Sequence, residues 1–448
     1  MLLSSKELLL LLIITGVLIY IPLSNWQHSD KIRFWSPLTM VCLIFLYYVV
    51  VGPFITLSLG LTDYKLINHR AYFEDGWIIS LVALCSVILG FNFRKPKKRP
   101  STISLQKDQR LNWKSFELEY WKRLTIIASL CIVALVGTGG LASQFEVVNS
   151  SEGSLFSGSQ GTLGGYLLNG INLLIGASGL LFIATLDKKR RTLWLLGLVF
   201  FAVAVYTKQG FRWRHIALGM TLLSIYYIYR YKRVNLLLFM TLGIVGIMIM
   251  GFIGQTRSYG SGLGYSDDQE FDNYELLLSG FGESAVFMTT GFMVREVQEK
   301  ELYIGWDPIV QTLVMPIPRA IWPGKPSGNY IGVIEGLYDG VFVGNGMGAA
   351  VLNFGEYYLM FGYAGVIVGY FIWGIIFRSV WQWFRKHRES KLAIVTYAVF
   401  FSYIYMIISR GYTPQVVMLF CFTVLPLYLI FNYHYKRVKI KRPRLAHS

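Results

Sequence analysis

The chain has 448 residues, of which 54% are hydrophobic and only 15% charged, with a formal net charge of +17. Soluble domains carry about 25% charged residues. Apolar runs of about 20 residues, the length that crosses a bilayer core, recur along this chain. A soluble two-domain protein is excluded, and the positive charge becomes a matter of loop topology rather than a sign of a nucleic-acid partner.

In chain order, helical spans are expected near 7–24, 36–60, 77–93, 123–141, 164–186, 192–207, 216–230, 235–253, 356–377, 392–409 and 415–433. The fold class is an all-α polytopic membrane protein of about eleven transmembrane helices, within a range of about ten to thirteen. The first run is too long for a signal-peptide core and lacks a small-x-small cleavage site, so it reads as a retained span. Cys42, Cys85, Cys131 and Cys421 all lie inside apolar runs. They read as small packing residues, and no metal spacing is visible.

The loops carry the orientation. R-K-P-K-K-R-P (94–100), D-K-K-R-R (187–191), R-Y-K-R (230–233), the 378–391 stretch and the tail 435–444 are all basic. They alternate across the spans as cytoplasmic loops must, which places the C-terminus inside and the N-terminus outside. About 30 of the 42 cations fall inside on this map. Left outside against the bias are Lys65, Arg70, Lys208, Arg212, Arg214, Arg257, Arg295, Lys300, Arg319, Lys325 and Arg410. The chain thus divides into an N-terminal bundle (1–253), one long outer loop with short amphipathic helices (254–355), and C-terminal spans with a basic tail (356–448). Irregular backbone at membrane depth is tolerated only where it is buried in protein or lines a cavity.

Three span ends present an arginine outward: G-F-R-W-R-H (210–215) with Arg212 and Arg214, G-Q-T-R (254–257) with Arg257, and S-R-G (409–411) with Arg410. Arginine is suited to phosphate because its charged fork matches phosphate oxygens. Together with Arg319 and Lys325 these residues suggest a convergent anion site. The plainer alternatives are snorkelling toward headgroups or pairing with nearby carboxylates.

The stretch M-P-I-P-R-A-I-W-P-G-K-P (315–326) adds four prolines around Arg319, Trp322 and Lys325. Prolines prevent a continuous helix and stiffen the loop, which lowers the entropy cost of binding. Trp322 offers a flat face to a sugar or lipid, as does Trp306 at the head of an apolar segment; the alternative is an interfacial anchor. Glu356, opening a span, is favoured by the helix dipole, and Glu283 is the other carboxylate in an apolar setting. The acidic run 267–272 could bind a divalent cation, but the plainer reading is a solvated loop. There is no P-loop, GxSxG elbow or HExxH motif, so a nucleotide-driven pump or zinc protease is not expected.

P-R-A-I-W-P-G-K-P resembles the P-R-x-x-W-P-x-K-P element of Wzy-type O-antigen polymerases, which polymerise oligosaccharide repeat units. G-F-R resembles that family's glycine-x-arginine element, 347–365 its G-E-x-Y-x-x-F-G-x-x-G element, and S-R-G its C-terminal arginine-glycine. The resemblance implies a glycosyltransferase of the bacterial cytoplasmic (inner) membrane with its site on the outer face. Its architecture would be similar to that of lipid-linked membrane glycosyltransferases (GT-C-like).

On that resemblance a glycan passes from undecaprenyl diphosphate to an incoming lipid-linked repeat unit, with no metal, nucleotide or other cofactor. The partners implied are this lipid-linked oligosaccharide, membrane lipids and a chain-length regulator protein. Arg212, Arg214, Arg257, Arg319, Lys325 and Arg410 would meet the diphosphate. Glu356, Glu283 and His215, in that order, are the candidate bases for the acceptor hydroxyl. An O-antigen ligase, or a non-enzymatic polysaccharide or lipid transporter, are the alternatives. A transporter should place its charges near the bilayer midplane.

Overall fold

The computed structural model describes residues 3–64, 67–93, 113–137, 163–186, 191–209, 212–258, 262–263, 285–315, 317, 321–322, 333, 337 and 350–440. Helix occupies each of the expected spans. In order these are α1 (Ser5–Gln27), α2 (Pro37–Phe45) leading through a π-turn (Leu46–Val51) into α3 (Gly52–Ser58), α4 (Phe73–Phe93) and α5 (Trp113–Gly137). Next come α6 (Leu163–Gly170), α7 (Leu173–Thr185), α8 (Thr192–Gln209), α9 (Arg212–Arg230) and α10 (Leu236–Thr256). The chain continues with α11 (Ala285–Lys300), α12 (Asp307–Val314), α13 (Asn353–His387), α14 (Lys391–Ser409), α15 (Thr413–Thr423) and α16 (Leu425–Ile440). Among the described residues, six of the helical stretches are long and apolar enough to cross a membrane, and seven if the bent α15–α16 pair is one span. Among the described residues, strand is limited to the two-residue ladders Asp63–Tyr64 with Ile67–Asn68 and Arg257–Ser258 with Gly262–Leu263.

Local sequence explains the ends and breaks. Ser4 and Glu7 form a capping box that starts α1. Ser36 caps α2, with Pro37 at its first position. Pro53 has no N–H to offer the Val49 carbonyl one turn back, and the Trp77 indole donates to that carbonyl at 2.9 Å instead.

α13 departs from the expected single span at 356–377. Its 35 residues would reach about 50 Å as one rod, against a core of about 30 Å. It breaks at Phe361–Gly362, where Gly362 has φ +61, a conformation that costs glycine nothing. The carbonyls freed at the break are used: Ile304 N donates to Leu359 O at 3.0 Å and Gly305 N to Met360 O at 3.2 Å. A short helix therefore precedes the membrane-length one.

α4 packs along α13 with their backbones touching. A Cβ on Gly374 would come within 2.6 Å of Phe91 N and 2.8 Å of Gly90 C. Small residues permit this approach, which drives helix association in lipid. Gly374→Ala must therefore push the two helices apart. It is expected to cost about 1–3 kcal/mol, read as a lowered thermal midpoint of the detergent-solubilised protein, and Gly374→Leu should prevent accumulation.

The helix ends join in two sets. In one, Lys6 pairs with Glu74, Arg70 donates to Glu7 at 2.8 Å, and Arg295 meets Asp75 at 2.6 Å. In the other, Asp30 pairs with Arg385, Trp26 Nε1 donates to Val234 O at 2.8 Å, Arg230 Nη2 to Leu186 O at 2.9 Å, and Tyr120 OH meets His434 Nε2 at 3.0 Å. These contacts connect loops that the charge map had put on the same side. Arg70, Arg295 and Lys300, the last with Glu296 at 2.8 Å, are thus each paired with a carboxylate.

Candidate functional site

The late glycine-rich element and the S-R-G element meet in space. α14 ends at Ser409, and Arg410 continues in extended conformation (φ −129, ψ 113). Gly411 and Tyr412 turn the chain, and α15 starts at Thr413-Pro414. The first amides of a helix lack intrahelical acceptors. Here the acceptor comes from another helix. Thr413 N donates to both Glu356 oxygens at 2.9 Å, and Thr413 Oγ1 donates to Oε2 at 2.7 Å. Asn353 Nδ2 also approaches Oε2, at 3.5 Å.

Glu356 is fully buried. Beside it, Gly411 N donates to Val351 O at 2.8 Å, and Leu352 N to Thr290 Oγ1 of α11 at 2.9 Å. The close fit explains the glycine of S-R-G: a Cβ on Gly411 would stand 2.7 Å from Val351 Cγ2 and 2.9 Å from Leu352 O. Burial, reinforced by the Glu356 charge, pushes the Tyr412 phenol well above the ordinary tyrosine range, so it remains a neutral hydroxyl.

The two arginines of G-F-R-W-R-H have different surroundings. Arg214 is 2% exposed. Its Nε donates to Asn172 Oδ1 at 2.7 Å, and its guanidinium lies 5.9 Å from the Tyr206 ring and 5.4 Å from the Trp213 ring. Asn172 sits in the break between α6 and α7, so Arg214 braces that break from inside the bundle. Arg212, two residues earlier, is half-buried at the end of α9. His215 is also engaged locally: its Nε2 meets Thr207 Oγ1 at 3.1 Å across the α8–α9 turn.

α9 and α14 lie side by side and run in opposite directions. Lys391 Nζ is 5.8 Å from the Tyr229 ring near one end, and Thr221 Oγ1 meets Ser402 Oγ at 2.9 Å midway. With a rise of about 1.5 Å per residue, Arg214 and Ser409 both lie about 10 Å beyond that bond. Arg212 and Arg410 lie slightly farther, at one depth. Adjacent helix axes are about 8–10 Å apart. The register thus puts the ends carrying Arg212 and Arg410 at one depth on neighbouring helices, with Arg410 directly before the turn held by Glu356.

The remaining predicted residues stand apart. Trp306, 65% exposed, packs edge-on against Phe361 at the α13 break, with ring centroids 4.9 Å apart. It heads α12, which packs on α15 and leaves Leu313 73% exposed. Trp322 is also exposed. Glu283, Arg319 and Lys325 lie outside the described residues, as does the side chain of Arg257, whose backbone forms a short ladder with Leu263.

Sequence reasoning missed Thr413, Asn353 and Thr290. A T-P pair directly after a span-ending R-G-Y is a helix-start signal, and it could have flagged Thr413. Nothing local marks the other two.

A family model for the O-antigen polysaccharide polymerase Wzy matches residues 1–438. No curated protein and no solved structure gives a significant match. The match runs through the multi-pass bundle and both halves of the arginine-bearing junction, and the chain belongs to the O-antigen polysaccharide polymerase Wzy family.

Proposed function

We propose that this polymerase extends lipid-linked oligosaccharide repeat units, of O-antigen, capsule or exopolysaccharide, at the outer face of the cytoplasmic membrane. The growing glycan leaves undecaprenyl diphosphate and joins an incoming undecaprenyl-diphosphate-linked unit. The acceptor hydroxyl oxygen attacks the anomeric carbon of the donor, and the bond from that carbon to the phosphate oxygen breaks. Undecaprenyl diphosphate departs with the bonding pair, and the hydroxyl proton passes to a base.

The observation that carries this reading is the common depth of Arg212 and Arg410 on neighbouring helix ends. Fixed guanidinium groups aimed where diphosphate charge develops stabilise the departing group, and holding two lipid-linked substrates together supplies much of the remaining rate. Arg257, Arg319 and Lys325 would complete the cationic surround, and Trp306 and Trp322 would border it with aromatic faces for glycan or lipid. Arg214 has a bracing role in this scheme. Glu283 is the candidate base, since the Glu356 oxygens already accept from Thr413.

The test is reconstitution. Purified protein in lipid vesicles with an authentic lipid-linked repeat unit is expected to give a ladder of lengthening glycans with equimolar undecaprenyl diphosphate. Transfer only to a non-polyprenyl acceptor would replace this reading with a ligase. Movement of the lipid-linked unit across the bilayer with no ladder would replace it with a transporter.

A further inference from the structure

We infer that Glu356 is a positioning residue: it clamps Thr413 and thereby sets the Arg410–Gly411–Tyr412 turn, rather than taking a proton from the acceptor sugar. The inference rests on the reading above, in which Arg410 meets the diphosphate. Its geometric part stands on its own.

The turn between α14 and α15 is three residues long, with non-helical backbone at Arg410 (φ −129, ψ 113) and Tyr412 (φ −145, ψ 81). It is held at two points by one short stretch of chain. Val351 O accepts from Gly411 N at 2.8 Å, and Glu356 accepts three hydrogen bonds from Thr413 at 2.7 to 2.9 Å. That stretch is itself anchored to α11 through Leu352 N and Thr290 Oγ1, at 2.9 Å. The arginine therefore sits directly beside two staples, and both staples share one base.

Hydrogen bonds to an ionised carboxylate are roughly twice as strong as neutral ones. A carboxylate serving as base must carry the proton for part of each cycle. At Glu356 the proton would compete for the oxygens that Thr413 uses, and every turnover would loosen the turn that holds Arg410. A base must also come within hydrogen-bond reach of the hydroxyl it deprotonates, whereas Glu356 is 0% exposed beneath the turn. Clamping uses both oxygens and the burial; proton abstraction is opposed by both.

The test compares E356Q, T413V, T413S and the E356Q/T413V pair in the full-length protein reconstituted in vesicles. Misplacing a group by about 1 Å costs on the order of 100-fold in rate, so E356Q and T413V should each slow ladder growth by about 10- to 100-fold. T413S keeps the hydroxyl and should return to near the wild-type rate. Residues acting through one contact are non-additive, so the pair should be no slower than its slower single variant.

The pH–rate profile should keep its shape in both single variants. Independently of activity, hydrogen exchange at the Gly411 and Thr413 amides should quicken in E356Q and T413V. If E356Q removes a limb of the pH profile while T413V turns over as wild type does, Glu356 is the base and the inference is overturned. If wild type forms no ladder but exchange quickens as stated, the polymerase reading falls and the clamp stands. If the ladder forms and exchange is unchanged in both variants, the clamp falls alone.

Discussion

Arg410→Ala is expected to lower the rate of undecaprenyl diphosphate release by on the order of 10²–10³-fold, the usual effect of removing one fixed donor from a site of developing negative charge. The protein should accumulate and elute as wild type does. The reason lies in how the turn is built. Its backbone is held by Gly411 N on Val351 O and by Thr413 on Glu356. Neither staple uses the Arg410 side chain, which is half-buried at the end of α14. Truncating it removes charge from the junction and leaves both backbone staples in place.

Arg410→Lys should recover about tenfold of the loss, because lysine restores the charge but not the planar fork that grips two phosphate oxygens. The measurement is the initial rate of release in vesicles at saturating lipid-linked substrate. An alanine variant within about threefold of wild type would remove Arg410 from the diphosphate site and leave Arg212 to act without it.

What the sequence made legible follows the physics of each signal. Apolar run length and loop charge are properties of the chain itself, so helix stands at the expected stretches, six or seven of them of membrane-crossing length among the described residues, and the joined ends link loops given the same side. The break in α13 did not. F-G-Y-A-G offers glycines at 362 and 365 with equal local freedom, and the choice of Gly362 is made by the distant amides of Ile304 and Gly305, which take the freed carbonyls. The tertiary contact of Glu356 was hidden for a related reason. Its position in the first turn of α13 offered a helix-dipole role beside that of a base, and neither points to the helix starting 57 residues later whose first amide it accepts. A single sequence carries no record of which helix end lies over which. Tertiary capping, unlike local capping, leaves no spacing to read.

Arg212→Ala and Arg214→Ala should fail in opposite ways, although the residues are two apart. On a helix, positions two apart point about 200° away from each other, so one arginine facing the bundle directs the other toward its rim. Arg214 is the inward one. It is 2% exposed, bonded to Asn172 and set against the Tyr206 and Trp213 rings. Its truncation opens a cavity and strands the Asn172 carboxamide oxygen in the α6–α7 break. Cavity formation of this size costs about 2–5 kcal/mol, and an orphaned buried acceptor adds about 1–3 kcal/mol. Arg214→Ala should therefore lose much of its yield, and what remains should precipitate at a clearly lower temperature in a thermal-shift assay.

Arg212→Ala should keep the wild-type thermal midpoint and lose rate on the order of 100-fold. The contrast is diagnostic because G-F-R-W-R offers two arginines to one expected role. If Arg214→Ala proves as stable as wild type yet inactive while Arg212→Ala stays active, the inward arginine is the one that meets the diphosphate. The ligand would then have to enter between α7 and α9, where Arg214 meets Asn172.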